Sequence, residues 1–379
     1  MLTTTTNCNV ATLAAYNPSA AKPWNRQRAQ HVFRRLGFSE QYSTISTALG
    51  QSPTALIDSL IDEAIAMPPA PAPEWATWDN TFYPEESDLK QQQYEEFKLT
   101  YTNALLTNNL RERLSFFWHN HFVTELREYD CPSYLYQYFN MLQVHSLGNF
   151  KDFVHAVGIN PAMLAYLNGL QNGKWRPNEN YARELYELFT MGEGNGYTEE
   201  DIMETARALT GYNSREEGCG EILFNLDSHD TDTKTIFGQT GNWGYDDVID
   251  ILFAQRQNEI ATFICGKLYE FFVNPQQVPE ITQQLAQTFI SNNFEIAPVL
   301  RQLLKSEHFF DDEAIGVVIK SHFDVALNFI KETGFSYDDD TLSWLTYVCE
   351  IMGQELFNPV DVAGWQRNRW WINANSIIG

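Results

Sequence analysis

The segment Leu106–Phe122, LTNNLRERLSFFWHNHF, decides the fold class. Leu106, Leu110, Leu114, Phe117, Trp118, His121 and Phe122 recur at three- and four-residue spacing. That is the period of a helix with one buried face, and it predicts a long amphipathic stretch from about Asp88 to Glu128. The same period continues outward on both sides. Towards the N-terminus it covers Trp24–Leu36, ended by Gly37, and Pro53–Ile65, with Ser52 as N-cap and Pro53 at the first helical position. Towards the C-terminus it covers Tyr134–Val144, Phe150–Val157 and Asn178–Met191. Thr198 then opens a helix to Thr210 through a capping-box variant that ends on Asp201. Val248–Phe253, Ile260–Phe272, Ile281–Ile290, Ile296–Leu304 and Val317–Lys331 complete the set.

Two stretches interrupt the pattern. MPPAPAP (67–73) breaks a helix and opens a Pro-, Trp- and acid-bearing connection over 67–88. Residues 213–244 are punctuated by Gly218, Gly220, Gly238, Gly241 and Gly244, and Ile222–Phe224 could pair there as a short strand. The expected architecture is mainly α: a flexible segment 1–22, then a single large multi-helical domain over 23–379 with an irregular or short β excursion at 213–244.

Composition narrows the functions. The 379 residues carry 49 Asp and Glu against 25 Lys and Arg, a net charge of −24. Neutralising phosphates needs clustered cations, so nucleic acid is an unsuitable partner, and so is an anionic membrane surface. No run of 18 apolar residues exists to insert in a membrane, and Met1–Lys22 has no basic and apolar pattern of a signal peptide. A soluble, cytoplasmic protein is expected on these grounds. Cys8, Cys131, Cys219, Cys265 and Cys349 are scattered without a close pair, which predicts free thiols rather than a disulfide or zinc framework.

Three polar clusters are candidates for chemistry. His119 and His121 alternate, a ligand spacing suited to a strand, where both side chains share a face. On a helix they stand about 200° apart, and His121 falls on the apolar stripe, where a hydrogen-bonded core histidine is the simpler expectation. In Asn178–Phe189, Glu179, Arg183 and Glu187 are spaced for a ladder of surface ion pairs. Glu184 lies at the edge of the buried face and needs a cation, a metal or donors, Arg207 being one possible partner. The Glu-x-x-His pattern of di-iron bundles is absent there. Asp227–Lys234, DSHDTDTK, gathers His229, Asp230 and Lys234 in an oxygen-rich loop, without the order of a calcium loop. Nucleophile-elbow, zinc-protease and dinucleotide motifs are missing.

The segments RAQHVFRRLGF (28–38), LRERLSFFWHNHF (110–122), LGNFKDFVHAVGINPAMLAYLNG (147–169), PNENYARELYELFTMGEGNGYTEEDIMETARALTGY (177–212), HDTDTKTIFGQTGNWGYDDVIDIL (229–252) and LFNPVDVAGWQRNRWWIN (356–373) occur in an order that resembles the bacterial domain of unknown function 1800 (DUF 1800) family. The resemblance implies an envelope role, periplasmic or extracellular, and a protein partner from a neighbouring uncharacterised family. It also implies that His119, His121, Glu179, Glu184, His229 and Asp230 converge on one pocket, with Arg183 and Lys234 supplying positive charge. From this convergence comes the expectation of a metal-dependent hydrolase. His119, His121, Glu179 and Glu184 would hold a divalent metal ion. Glu184, His121, His229, Asp230 and Lys234 would serve catalysis, the ion lowering the pKa of a bound water. The alternative is a non-catalytic scaffold or binding protein for a small-molecule, peptide or glycan ligand.

Overall fold

The long helix expected over 88–128 is broken at Asn108–Asn109. Asn109 has φ +43°, a left-handed conformation that asparagine tolerates, and it divides Leu89–Thr107 from Asn109–His119. A computed structural model describes residues 12–84, 87–212, 218–366 and 368–372. Within them lie seventeen α-helices and one two-stranded sheet around a single hydrophobic core.

Asn109–His119 runs through that core, packed against Arg26–Leu36, Pro53–Ala66, Leu89–Thr107 and Pro132–His145. Trp118 is fully buried, stacks on Phe122 and Phe150, and donates its indole N–H to the Ser146 carbonyl at 3.0 Å. The LRER charges are buried with their partners. The fully buried Glu112 carboxylate is satisfied by Arg111 Nε (3.0 Å) and Nη2 (2.7 Å), Asn108 Nδ2 (3.2 Å), Ser115 Oγ (2.8 Å) and Gln143 Nε2 (2.9 Å). Further along, Gln257–Phe272, Pro279–Ser291 and Ile296–Leu304 pack in sequence.

Several helix ends follow their sequence signals. Ser52 Oγ accepts from the Ala55 N–H, and Thr198 and Asp201 close the expected capping box. His322–Thr333 starts later than periodicity suggested, because Ser321 caps it reciprocally with Asp324. Asp339–Ile351 is a further helix, capped by Asp338, which the apolar spacing had not marked.

Three expectations are corrected. Residues 12–22 are docked, not free: Tyr16 stacks on Phe310 at 4.4 Å and its N–H bonds the Lys305 carbonyl at 2.8 Å. Residues 1–11 lie outside the described residues. In the excursion the hairpin strands are Lys234–Ile236 and Gln239–Gly241, not Ile222–Phe224. Phe237 and Gly238, at φ +48° and +76°, form the two-residue turn whose twist matches such a hairpin. Residues 213–217 of the excursion lie outside the described residues. Finally, Cys131 and Cys219 form a disulfide with Cα atoms 5.2 Å apart. Eighty-eight residues separate them in sequence, and only the tertiary fold brings the N-cap of Pro132–His145 beside the excursion. Cys265 and Cys349 are buried free thiols, as expected. Cys8 lies outside the described residues.

Candidate functional site

The two histidines of HNHF do not share a site. His119 ends its helix fully buried, its ring 4.8 Å from Phe139 and 5.1 Å from Trp365. Neither ring nitrogen has a hydrogen-bond partner among the described residues, and burial pushes the imidazole down to about 3, so it stays neutral. His121 sits among Phe117, Trp118 and Phe122, with Nε2 3.0 Å from the Phe189 carbonyl. That carbonyl belongs to Leu185–Thr190, a single π-helical segment following the α-helix Asn180–Glu184. A π-turn shifts the backbone pairing. The motif's middle residue makes the more telling contact: Asn120 Oδ1 accepts the Trp365 backbone N–H, joining the HNHF and GWQ segments.

Glu179 and Glu187 both pair with Arg183 at 3.3 Å, forming the ladder expected from their spacing. Glu199 of the next helix adds a stronger contact at 2.7 Å. Glu184 does not pair with Arg207. That guanidinium is taken by Glu204 (2.8 Å) and Asp230 (2.8 Å), leaving Glu184 without an ion pair among the described residues. Burial, and then Glu187, raise the Glu184 carboxyl above the usual range, with Arg183 opposing.

The DSHDTDTK loop is also tied down. His229 Nδ1 lies 2.8 Å from the Thr210 carbonyl. Burial would raise the Asp230 carboxyl, but hydrogen bonds from Arg207 and the Asp232 N–H outweigh it and hold the group low. Lys234 is fully buried and donates to the carbonyls of Asp230 and Asp232; burial lowers its pKa against the pull of Asp230. The predicted clusters therefore meet on opposite turns of Glu199–Ala208, Arg183 at one and Asp230 at the other, chiefly as ion pairs. Among the described residues no three His, Cys, Asp or Glu side chains gather as a metal ion would need. His119, His121, Glu179 and Glu184 are thus not brought together as a ligand set: the two histidines lie in separate aromatic surroundings, Glu179 pairs with Arg183, and Glu184 stands half-buried without an ion pair among the described residues.

The open concavities lie elsewhere. Between His322–Thr333 and Asp339–Ile351 runs a groove of about 1000 Å³ walled by Val325, Phe329, Trp344, Val348 and Met352. Phe329 and Trp344 are 57% and 68% exposed, well outside the pattern of a covered core. Helical spacing could have found this face, since Val325 and Phe329 are four apart and Trp344 and Val348 likewise. It could not show that no other described residue covers the face.

Residues 31–379 match the family described as a protein of unknown function (DUF1800). The chain belongs to this family. The match spans both the paired polar clusters and the groove, and takes in every α-helix after Arg26–Leu36. No curated protein and no solved structure matches the chain. Among the described residues no helix is long and apolar enough to cross a membrane.

Proposed function

We propose that this DUF1800 protein is a non-catalytic binding protein that holds the hydrocarbon part of an amphipathic small molecule in the groove between His322–Thr333 and Asp339–Ile351. The observation that carries the reading is the groove itself: about 1000 Å³, the upper end of small-molecule sites, with aromatic walls exposed to water. Among the described residues the groove carries one cation, Lys320, and one carboxylate, Asp340, on an otherwise largely apolar lining, and Lys320 suggests where the head of an occupant would lie. Lys320 stands on the groove wall with no ion pair among the described residues, suiting a chain that ends in an anionic head. The pairing of Arg183, Asp230 and Lys234 supports a structural role for the clusters that a hydrolase would leave open. The Cys131–Cys219 disulfide supports an oxidising compartment, the periplasm or beyond, since such bonds rarely persist in a reducing cytosol.

The test is titration with Nile red, an uncharged apolar dye, followed by displacement with dodecanol. Saturable dye binding is expected, weakened in Phe329→Asp, whose charge enters the groove without disturbing a buried contact. Absence of saturable binding, or wild-type binding by the variant, removes the reading.

A further inference from the structure

A second cavity, of about 480 Å³, lies behind the groove, between Arg26–Leu36 and His322–Thr333, and shares Lys320 with it. Its charges come from every wall. Arg34 is matched by Glu332 through two contacts of 2.6 and 2.7 Å, and Asp324 is matched by Arg113. His31 adds no charge, because burial and then Arg35 push its imidazole down to about 3. Two cations remain. Arg35 donates Nε to the Phe272 carbonyl at 2.9 Å, but its Nη2 is buried with no hydrogen-bond partner. Lys320 is exposed and makes no hydrogen bond or ion pair among the described residues, although Arg34 repels it and Glu332 and Asp324 attract it from a distance. Asn328, 4% exposed, also leaves Oδ1 unpartnered, and a turn of its amide presents a donor instead.

Leaving a buried guanidinium nitrogen unbonded is costly. The omission is notable in a chain where acids outnumber bases by 49 to 25, so that a carboxylate partner was readily available. We propose that this cavity binds an oxyanion, the carboxylate or phosphate of a ligand, between Arg35, Lys320 and Asn328. The planar guanidinium and the mobile ammonium together satisfy several oxygen lone pairs. The site is a separate cavity that shares Lys320 with the groove; it does not rest on the groove reading, although that reading places an anionic head at the same lysine.

Calorimetry with inorganic phosphate and with dodecyl phosphate, at low salt, tests the site in wild type, Lys320→Gln, Arg35→Gln and Phe329→Asp. Lys320→Gln is the milder change and keeps the test valid if Arg35→Gln fails to fold. The site predicts binding that Lys320→Gln weakens by about tenfold or more. If inorganic phosphate itself binds and Phe329→Asp has no effect, the ligand is a free anion. If only dodecyl phosphate binds, and both variants weaken it, the anion is the head of an amphiphile lying in the groove. Binding of neither compound to the wild type overturns the proposal. So does undiminished binding by Lys320→Gln, even where Phe329→Asp shows that the groove reading holds.

Discussion

Arg207 grips Asp230 through Nε at 2.8 Å and Nη2 at 3.3 Å, while Asp230 accepts the Asp232 N–H at 2.9 Å. This contact fastens the DSHDTDTK loop to Glu199–Ala208, and Lys234 is buried beneath it.

Asp230→Asn should therefore cost about 2 kcal/mol of stability at pH 7, by weakening a charge-assisted pair in a poorly solvated place. The wild-type contribution has a defined pH window. The folded carboxyl is held below its ordinary value of 3.8, so its stabilisation is present above that value and fades as pH falls through the folded pKa. Urea unfolding from pH 7 to pH 2.5 should show the two proteins converging in acid. Parallel curves would refute the assignment.

His119 and His31 titrate in the opposite environment, each pushed from 6.5 to about 3 by burial. Below pH 6.5 the unfolded chain takes up protons that the folded chain refuses. Stability should then fall by about 1.4 kcal/mol per pH unit for each group, down to about pH 3. His119→Leu removes one of the two slopes. With no hydrogen bond to lose among the described residues, it should leave stability at pH 7 within about 1 kcal/mol. A loss well beyond that would reveal a polar partner for the ring.

Glu184 gives a third test through its raised carboxyl. A group whose folded pKa lies above its unfolded one stabilises at low pH and loses that contribution as pH rises through the folded value. Glu184→Gln should raise Tm at pH 7 and leave it unchanged near pH 4. If the variant is less stable at pH 7, Glu184 has a cationic or metal partner, and metal analysis of wild type against Glu184→Ala and His121→Ala identifies it.

The disulfide is testable by thiol counting. Unreduced, denatured protein should titrate Cys265 and Cys349 but neither Cys131 nor Cys219, and reduction should add two thiols to the count. Cys131→Ser with Cys219→Ser should cost about 2–4 kcal/mol in urea unfolding, because the bond closes an 88-residue loop. Five thiols without reductant would exclude the bond.

The sequence by itself determined the helical class, most helix positions and several caps, because periodicity and N-cap chemistry act over three or four residues. The Ser52 cap, the Thr198–Asp201 box and the Glu179–Arg183–Glu187 ladder are local in this sense. The separation of His119 and His121 into different aromatic clusters was not local in this sense, because the helix ends at His119 and the helical angle between them does not apply. Tertiary structure alone decided what was long-range. Cys131 met Cys219, Arg207 chose Asp230 over Glu184, and Asn120 reached Trp365, each through packing of distant helices. It also decided which apolar face stayed open and which cations lack a carboxylate partner among the described residues. Periodicity marks Phe329 and Trp344 as a face, and composition counts Arg35 and Lys320 as charges. Whether anything covers the one or neutralises the other depends on where the remaining chain is placed in space.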